Sequence, residues 1–174
     1  MNQGRSISGE VWARMSVAER VRRCLDAVCD GTTASPDDLH GLDDDIIGVI
    51  DKDQPGPISG AYRCFLQSAG GGAGRFLQGS DVFHPQVIGL RAAAQELLDG
   101  SGLELRAEDR IILMHQGSQF DFLRGQGEDP EVWSYCEGSL PRRSHARFTE
   151  WLRDNADEQT RAWAQLTPLG AYDL

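Results

Sequence analysis

The side chains able to do chemistry are few and widely spaced. The histidines are His40, His84, His115 and His145. No two stand at i, i+4 on a helical stretch, and none is close to a cysteine in sequence. The converging spacings that zinc requires are therefore missing. His115 closes an apolar run beside Gln116, and reads either as a functional polar group or as a strand-end histidine satisfied by backbone. The cysteines are Cys24, Cys29, Cys64 and Cys136, with no CxxC pair. Cys24 and Cys29 are five apart on one helical stretch, a poor geometry for a disulfide. Reduced, mostly buried thiols are expected, with Cys64 and Cys136 in the core. A Cys–His nucleophile would have to assemble in space alone. Gly117-Ser118 lacks the GxSxG elbow. The run Gly70-Gly-Gly-Ala-Gly74 follows a helix, whereas a phosphate-cradling loop precedes one, and no Gly-Lys-Ser/Thr accompanies it. It reads as a helix end and chain reversal. These residues imply no catalytic set, cofactor or metal.

The strongest chemical bias is charge. The formal net charge is −10 and the pI about 4.7. That excludes sequence-independent nucleic-acid binding, which needs a basic surface to release counterions, and an anionic membrane surface. Between Asp37 and Asp53 lie seven aspartates and one lysine, so −6 of the charge sits in seventeen residues. Asp37 and Asp38, and again Asp43, Asp44 and Asp45, suit helix N-termini. The tract as a whole exceeds what capping needs. It is either a solvated face or a face that steers a basic partner, with Asp43, Asp44, Asp45, Asp51 and Asp53 as the steering residues. No DxDxDG calcium loop occurs in it.

The elements that must position these groups follow from periodicity. Ile111 to Met114 is a continuous apolar run, a strand covered on both faces. A turn at Gln116-Gly-Ser118 leads to Phe120 and Phe122 on one face, with Asp121 and Leu123 on the other. Val132, Ser134 and Cys136 then share a face opposite Trp133 and Tyr135. This makes three neighbouring antiparallel strands. If the closing helix covers the Trp133 and Tyr135 face, both are core; if it does not, they suit an interface anchor.

Before the strands, Ser16-Val-Ala-Glu19 is a capping box for a helix to about Asp30, with Arg20, Arg22 and Arg23 mainly on its outer face. Ser35-Pro36 starts a short helix through Leu39 that breaks near Gly41, and a second runs to about Lys52. Ser59 caps a helix to about Ser68. Arg75–Leu77 and Asp81–Phe83 suit short edge strands, and Pro85 opens a helix to Asp99. After the strands, Ser144 caps a long helix whose apolar stripe runs from Phe148 to Leu166, ended by Pro168. Segregated helices and strands imply an α+β fold: a mainly antiparallel sheet flanked by helices, with N-terminal helices and a long C-terminal one. Residues 1–15 are expected to be an arm and 16–174 a single domain. The polar start and the absence of a long apolar stretch point to the cytoplasm.

Three stretches resemble the SUKH superfamily, which includes bacterial immunity proteins and yeast cell-wall assembly regulators. They are Pro57-Ile-Ser-Gly-Ala-Tyr-Arg-Cys-Phe-Leu66 with the glycines after it, Gly74-Arg-Phe-Leu-Gln-Gly-Ser-Asp-Val-Phe83, and Met114-His-Gln-Gly-Ser-Gln-Phe120 with Pro130-Glu-Val-Trp-Ser-Tyr135 and the closing helix. They span roughly residues 36 to 155. Gly60 and Ala61 depart from the family, which often has an acidic residue before the tyrosine, and the glycine run is longer than usual. The family has no catalytic set. The resemblance implies a non-catalytic protein-binding module, an immunity protein that neutralises a polymorphic toxin, often a nuclease. A regulatory or scaffold protein of the same fold, or a small cysteine hydrolase, are the alternatives. The expected partner is a basic toxin domain, not nucleic acid or membrane.

Overall fold

The computed structural model describes residues 9–30 and 33–166. The chain is α+β. Strands β3 (Ser80–Asp81), β4 (Arg110–His115), β5 (Gln119–Arg124), β6 (Glu131–Cys136) and β7 (Arg142–His145) form an antiparallel sheet in sequence order. All five residues from Arg110 to Met114 are buried, as the unbroken apolar run requires. Gln116 and Gly117 both take positive φ, 48° and 68°, at the β4–β5 turn. A bulge near Ile112 shifts the register of β4 against β5.

Cross-strand partners define the two faces. Phe120 lies opposite Tyr135 and Phe122 opposite Trp133; Asp121 lies opposite Ser134 and Leu123 opposite Val132. The long helix α6 (Phe148–Leu166) covers the Asp121 face, where the Trp151 indole donates to Asp121 Oδ2 at 2.9 Å. Helix α2 (Val17–Cys29) packs on α6 and on α4 (Gly60–Ala69). Tyr62 and Phe65 of α4 meet Phe148 edge-on at 5.7 and 6.1 Å. Each such ring contributes about 2–3 kcal/mol by burial. The shorter α5 (Leu90–Leu98) lies against β4, and its last residue reaches the Phe120 and Phe122 side.

Three of the local start signals hold. Ser16 and Glu19 form the reciprocal capping box of α2, Asp43 caps α3 (Asp44–Asp53), and Ser59 caps α4. Of the expected arm, residues 9–14 form α1 (Gly9–Arg14) and Trp12 joins the core; residues 1–8 lie outside the described residues.

Several expectations are corrected. Pro36–Asp38 is one 3-10 turn, and Leu39–His40 is strand β1, paired with β2 (Gly72–Ala73). Gly41 keeps this segment extended against α4, since a Cβ there would overlap the Gln67 carbonyl. Arg75–Leu77 is a turn and not a strand: Leu77 takes φ 55°, and its N–H donates to Gln159 Oε1 at 2.6 Å. The helix after Pro85 begins only at Leu90, because Gly89 at φ 83° interrupts it. Ser144 does not cap α6. It sits in β7 and donates to the Val132 carbonyl, while Asp129 from the β5–β6 loop accepts from Thr149 N–H at 2.9 Å and caps the helix instead. Arg20 is buried, donating to the carbonyls of Trp12 and Ala13 and pairing with that same Asp129 at 3.3 Å. The apolar stripe of α6 leaves the core after Ala156, and Leu166 is 53% exposed. Pro168 lies outside the described residues. Cys136 is exposed at a strand end, where its side chain meets no core.

Candidate interaction surface

Helix α3 carries most of the acidic tract, and its sequence explains why. Ile47 and Ile50 are the buried anchors, so the intervening positions turn outward. The five aspartates divide by what they touch. Asp43 is spent on capping, accepting from Ile46 N–H at 2.9 Å. Asp44, 79% exposed, stands 3.5 Å from Arg63 of α4. Asp45 is exposed and makes no hydrogen bond or ion pair among the described residues. Asp51 is half-exposed and reaches Arg110 at 3.3 Å. Asp53 accepts from Gly89 N–H at 3.1 Å, which sets the Ile88–Gly89 turn beside the end of the helix. Val49, 56% exposed, has Asp45 and Lys52 as neighbours one turn away on the helix surface. The exposed side of α3 is thus mainly acidic, with one lysine and one apolar residue in it.

This helix is held in place by a residue that sequence periodicity does not reveal. Arg110, fully buried, donates to the carbonyls of Ile50, Asp51, Gln54 and Gly56 at 2.7–3.1 Å, closing the C-terminal end of α3. Burial lowers the pKa of its guanidinium from the usual value, and the carbonyl dipoles offset the cost of desolvation. Next to it, the Gln54 amide donates to Ile111 O at 2.9 Å and accepts from Ile111 N–H at 2.8 Å. The side chain thereby pairs the outer edge of β4 where the two-residue β3 does not reach. An Arg or Gln beside an apolar strand carries no sequence signal for such long-range roles.

The two aromatic candidates separate. Tyr135 is buried, its ring 5.0 Å from that of Phe120, so it is core and not an accessible anchor. Trp133 is half-buried on the sheet face opposite α6. Arg124 lies over both the Trp133 and Phe122 rings at 4.6 and 5.0 Å, and is fixed by Asp109 through contacts of 2.8 and 2.7 Å. The Trp133 indole donates to Glu131 at 3.0 Å, and Arg143 pairs with the other oxygen of Glu131 at 2.8 Å. Over Phe120, Phe122 and Trp133 lies a depression of about 380 Å³, walled by Leu98, the Leu103–Arg106 segment and Leu140-Pro141.

Among the described residues no cysteine is hydrogen-bonded to a histidine. His115 Nδ1 meets the Ser80 hydroxyl across β3–β4 at 2.9 Å, and His145 lies 3.4 Å from Asp154. Among the described residues, no three His, Cys, Asp or Glu side chains are grouped to hold a metal. Burial pushes the Cys24 thiol up to about 12 and also raises those of Cys29 and Cys64, which opposes thiolate formation. Asp121 is a buried carboxylate whose pKa is raised by burial; Ser134 and Trp151 pull against that shift, and Oδ1 has no partner. Among the described residues no helix is long and apolar enough to cross a membrane. No family model matches the chain, and no curated protein or solved structure matches it either.

Proposed function

We propose that the chain is a non-catalytic, cytosolic protein-binding module, an immunity protein that neutralises a basic toxin domain, a nuclease being the leading class. One observation carries the reading. Helix α3 presents Asp44, Asp45 and Asp51 to solvent, with the exposed Val49 one turn from Asp45 and from Lys52, and Arg110 clamps the helix at its end. An excess of fixed carboxylates steers a cationic partner, and an apolar contact on the same helix adds burial once it docks. The SUKH resemblance supports the same reading: it implies an α+β domain with a mixed or antiparallel sheet flanked by helices, and the chain is α+β. The raised thiol pKa values weigh against the cysteine-hydrolase alternative.

Co-expression with the toxin-like product of a neighbouring gene tests the proposal. The native chain is expected to rescue growth and to co-purify with the toxin domain. The double variant Asp44→Lys/Asp45→Lys is expected to slow association about tenfold at low salt while its fold is unchanged. A toxin domain that is neither bound nor neutralised by the folded native chain sinks the proposal, and leaves the regulatory or scaffold reading in its place.

A further inference from the structure

We infer that the basic partner's closest contact on α3 falls at Gly48, where it lies against bare helix backbone; this rests on the toxin-binding reading above and deepens it. Glycine is a poor residue for a helix interior, because it has the most conformational freedom to lose and leaves the backbone open to water. Such a glycine calls for a packing or functional reason. The other described glycines are accounted for by the fold. Ten take a φ between 60° and 159°, where a side chain would be strained. At Gly41, Gly56, Gly60, Gly70 and Gly71 an added Cβ would come to 3.0 Å or less from a neighbouring atom. Gly9 opens α1 and so is not in a helix interior. Gly48 is the fifth of the ten residues of α3, and an added Cβ there would meet nothing within 4 Å. Alanine would fit without displacing anything and would favour the helix.

The surroundings say what the missing side chain does. Gly48 is partly exposed, and its neighbours one turn away are Asp44, Asp45, Asp51 and Lys52, all exposed. Beside it Val49 is 56% exposed. Longer side chains thus ring a position that has none, and the peptide groups of α3 floor the notch between them. A partner can pack on that floor more closely than any side chain at position 48 would permit. Arg63 and Arg110 reach Asp44 and Asp51 from within the fold, while Asp45 and Lys52 have no ion partner among the described residues. The notch itself therefore does not select by charge. Steering belongs to the aspartate tract as a whole. Gly48 acts once the basic partner has arrived, by letting packing on the backbone and apolar contact at Val49 form together.

The test compares the full native chain with Gly48→Ala and Gly48→Gln, in urea denaturation and in binding to the toxin domain encoded in a neighbouring gene. Both variants are expected to unfold at a higher urea concentration than the native chain, because each favours the helix. Both are expected to bind more weakly, Gly48→Ala about tenfold and Gly48→Gln more, with the loss in the dissociation rate. A glycine kept only for the fold would not move stability and affinity in opposite directions. The association rate and its salt dependence are expected to stay as in the native chain, which separates this contact from the steering altered in Asp44→Lys/Asp45→Lys. Variants that are stabilised yet bind like the native chain overturn the inference and leave the toxin-binding reading standing. Variants that are destabilised overturn it too, since the glycine would then have a reason within the fold. A native chain that does not bind the toxin domain removes that reading and this contact together.

Discussion

Arg110 shows how one side chain sets the position of a surface it does not belong to. Its guanidinium is desolvated, and its hydrogens are consumed by the carbonyls that end α3. Removing it leaves those acceptors buried and unpaired. Arg110→Ala is therefore expected to cost roughly 3–5 kcal/mol in urea denaturation, and a loss below about 1 kcal/mol would show that the clamp is not needed. Asp121 is the opposite case, a charge held where it is unwelcome. Burial raises its pKa, so the folded chain keeps its proton at pH values where the unfolded chain has lost it. Across that window the folded state binds more protons. Asp121's contribution to stability therefore falls as pH rises through the window, and the penalty persists above it. Asp121→Asn keeps an oxygen for the Trp151 indole and removes the charge. It is expected to be more stable than the native chain at neutral pH and to lose part of the pH dependence; equal stability at every pH would contradict this. At this scale the sequence is nearly silent. Arg110 and Asp121 look like the polar ends and alternating positions of strands, and their partners lie far away in the chain.

At the scale of elements, what was legible divides by range. Helices that start on their own residues, at Ser16, Asp43 and Ser59, can be read from sequence because cap and helix are adjacent. The alternation around Phe120 and Phe122 likewise predicts its own two faces. Elements held by distant groups carry no such local signal. β1 exists because it pairs with the glycine segment more than thirty residues on, and β7 because Arg143 and His145 pair with β6. Ser144 before an apolar stripe has the pattern of a cap for α6, whereas the cap comes from Asp129. That loop residue also pairs with Arg20, so it joins α2, α6 and the sheet. Asp129→Ala is expected to cost about 2–4 kcal/mol, more than an isolated cap. A chemical-denaturation loss within the range of a lone surface cap would show that the two roles are not coupled.

Taken whole, the molecule has two unlike surfaces built on one sheet. α6 covers the Asp121 face, and α2 and α4 pack on α6. The Trp133 face is covered only in part, by α5 and the Leu103–Arg106 segment, and α3 presents its carboxylates at the edge of the fold. The sequence located the acidic tract and named Trp133. It could not tell that Asp53 is occupied within the fold or that Tyr135 is core, because these depend on who stands opposite. Binding of a basic toxin domain to the α3 face is tested most directly by stopped-flow association of the purified chain with a toxin domain encoded in a neighbouring gene, across a salt series. A stable complex is expected, whose association slows as salt rises and slows again in Asp44→Lys/Asp45→Lys. Tight binding with a rate indifferent to both salt and those two charges would contradict it.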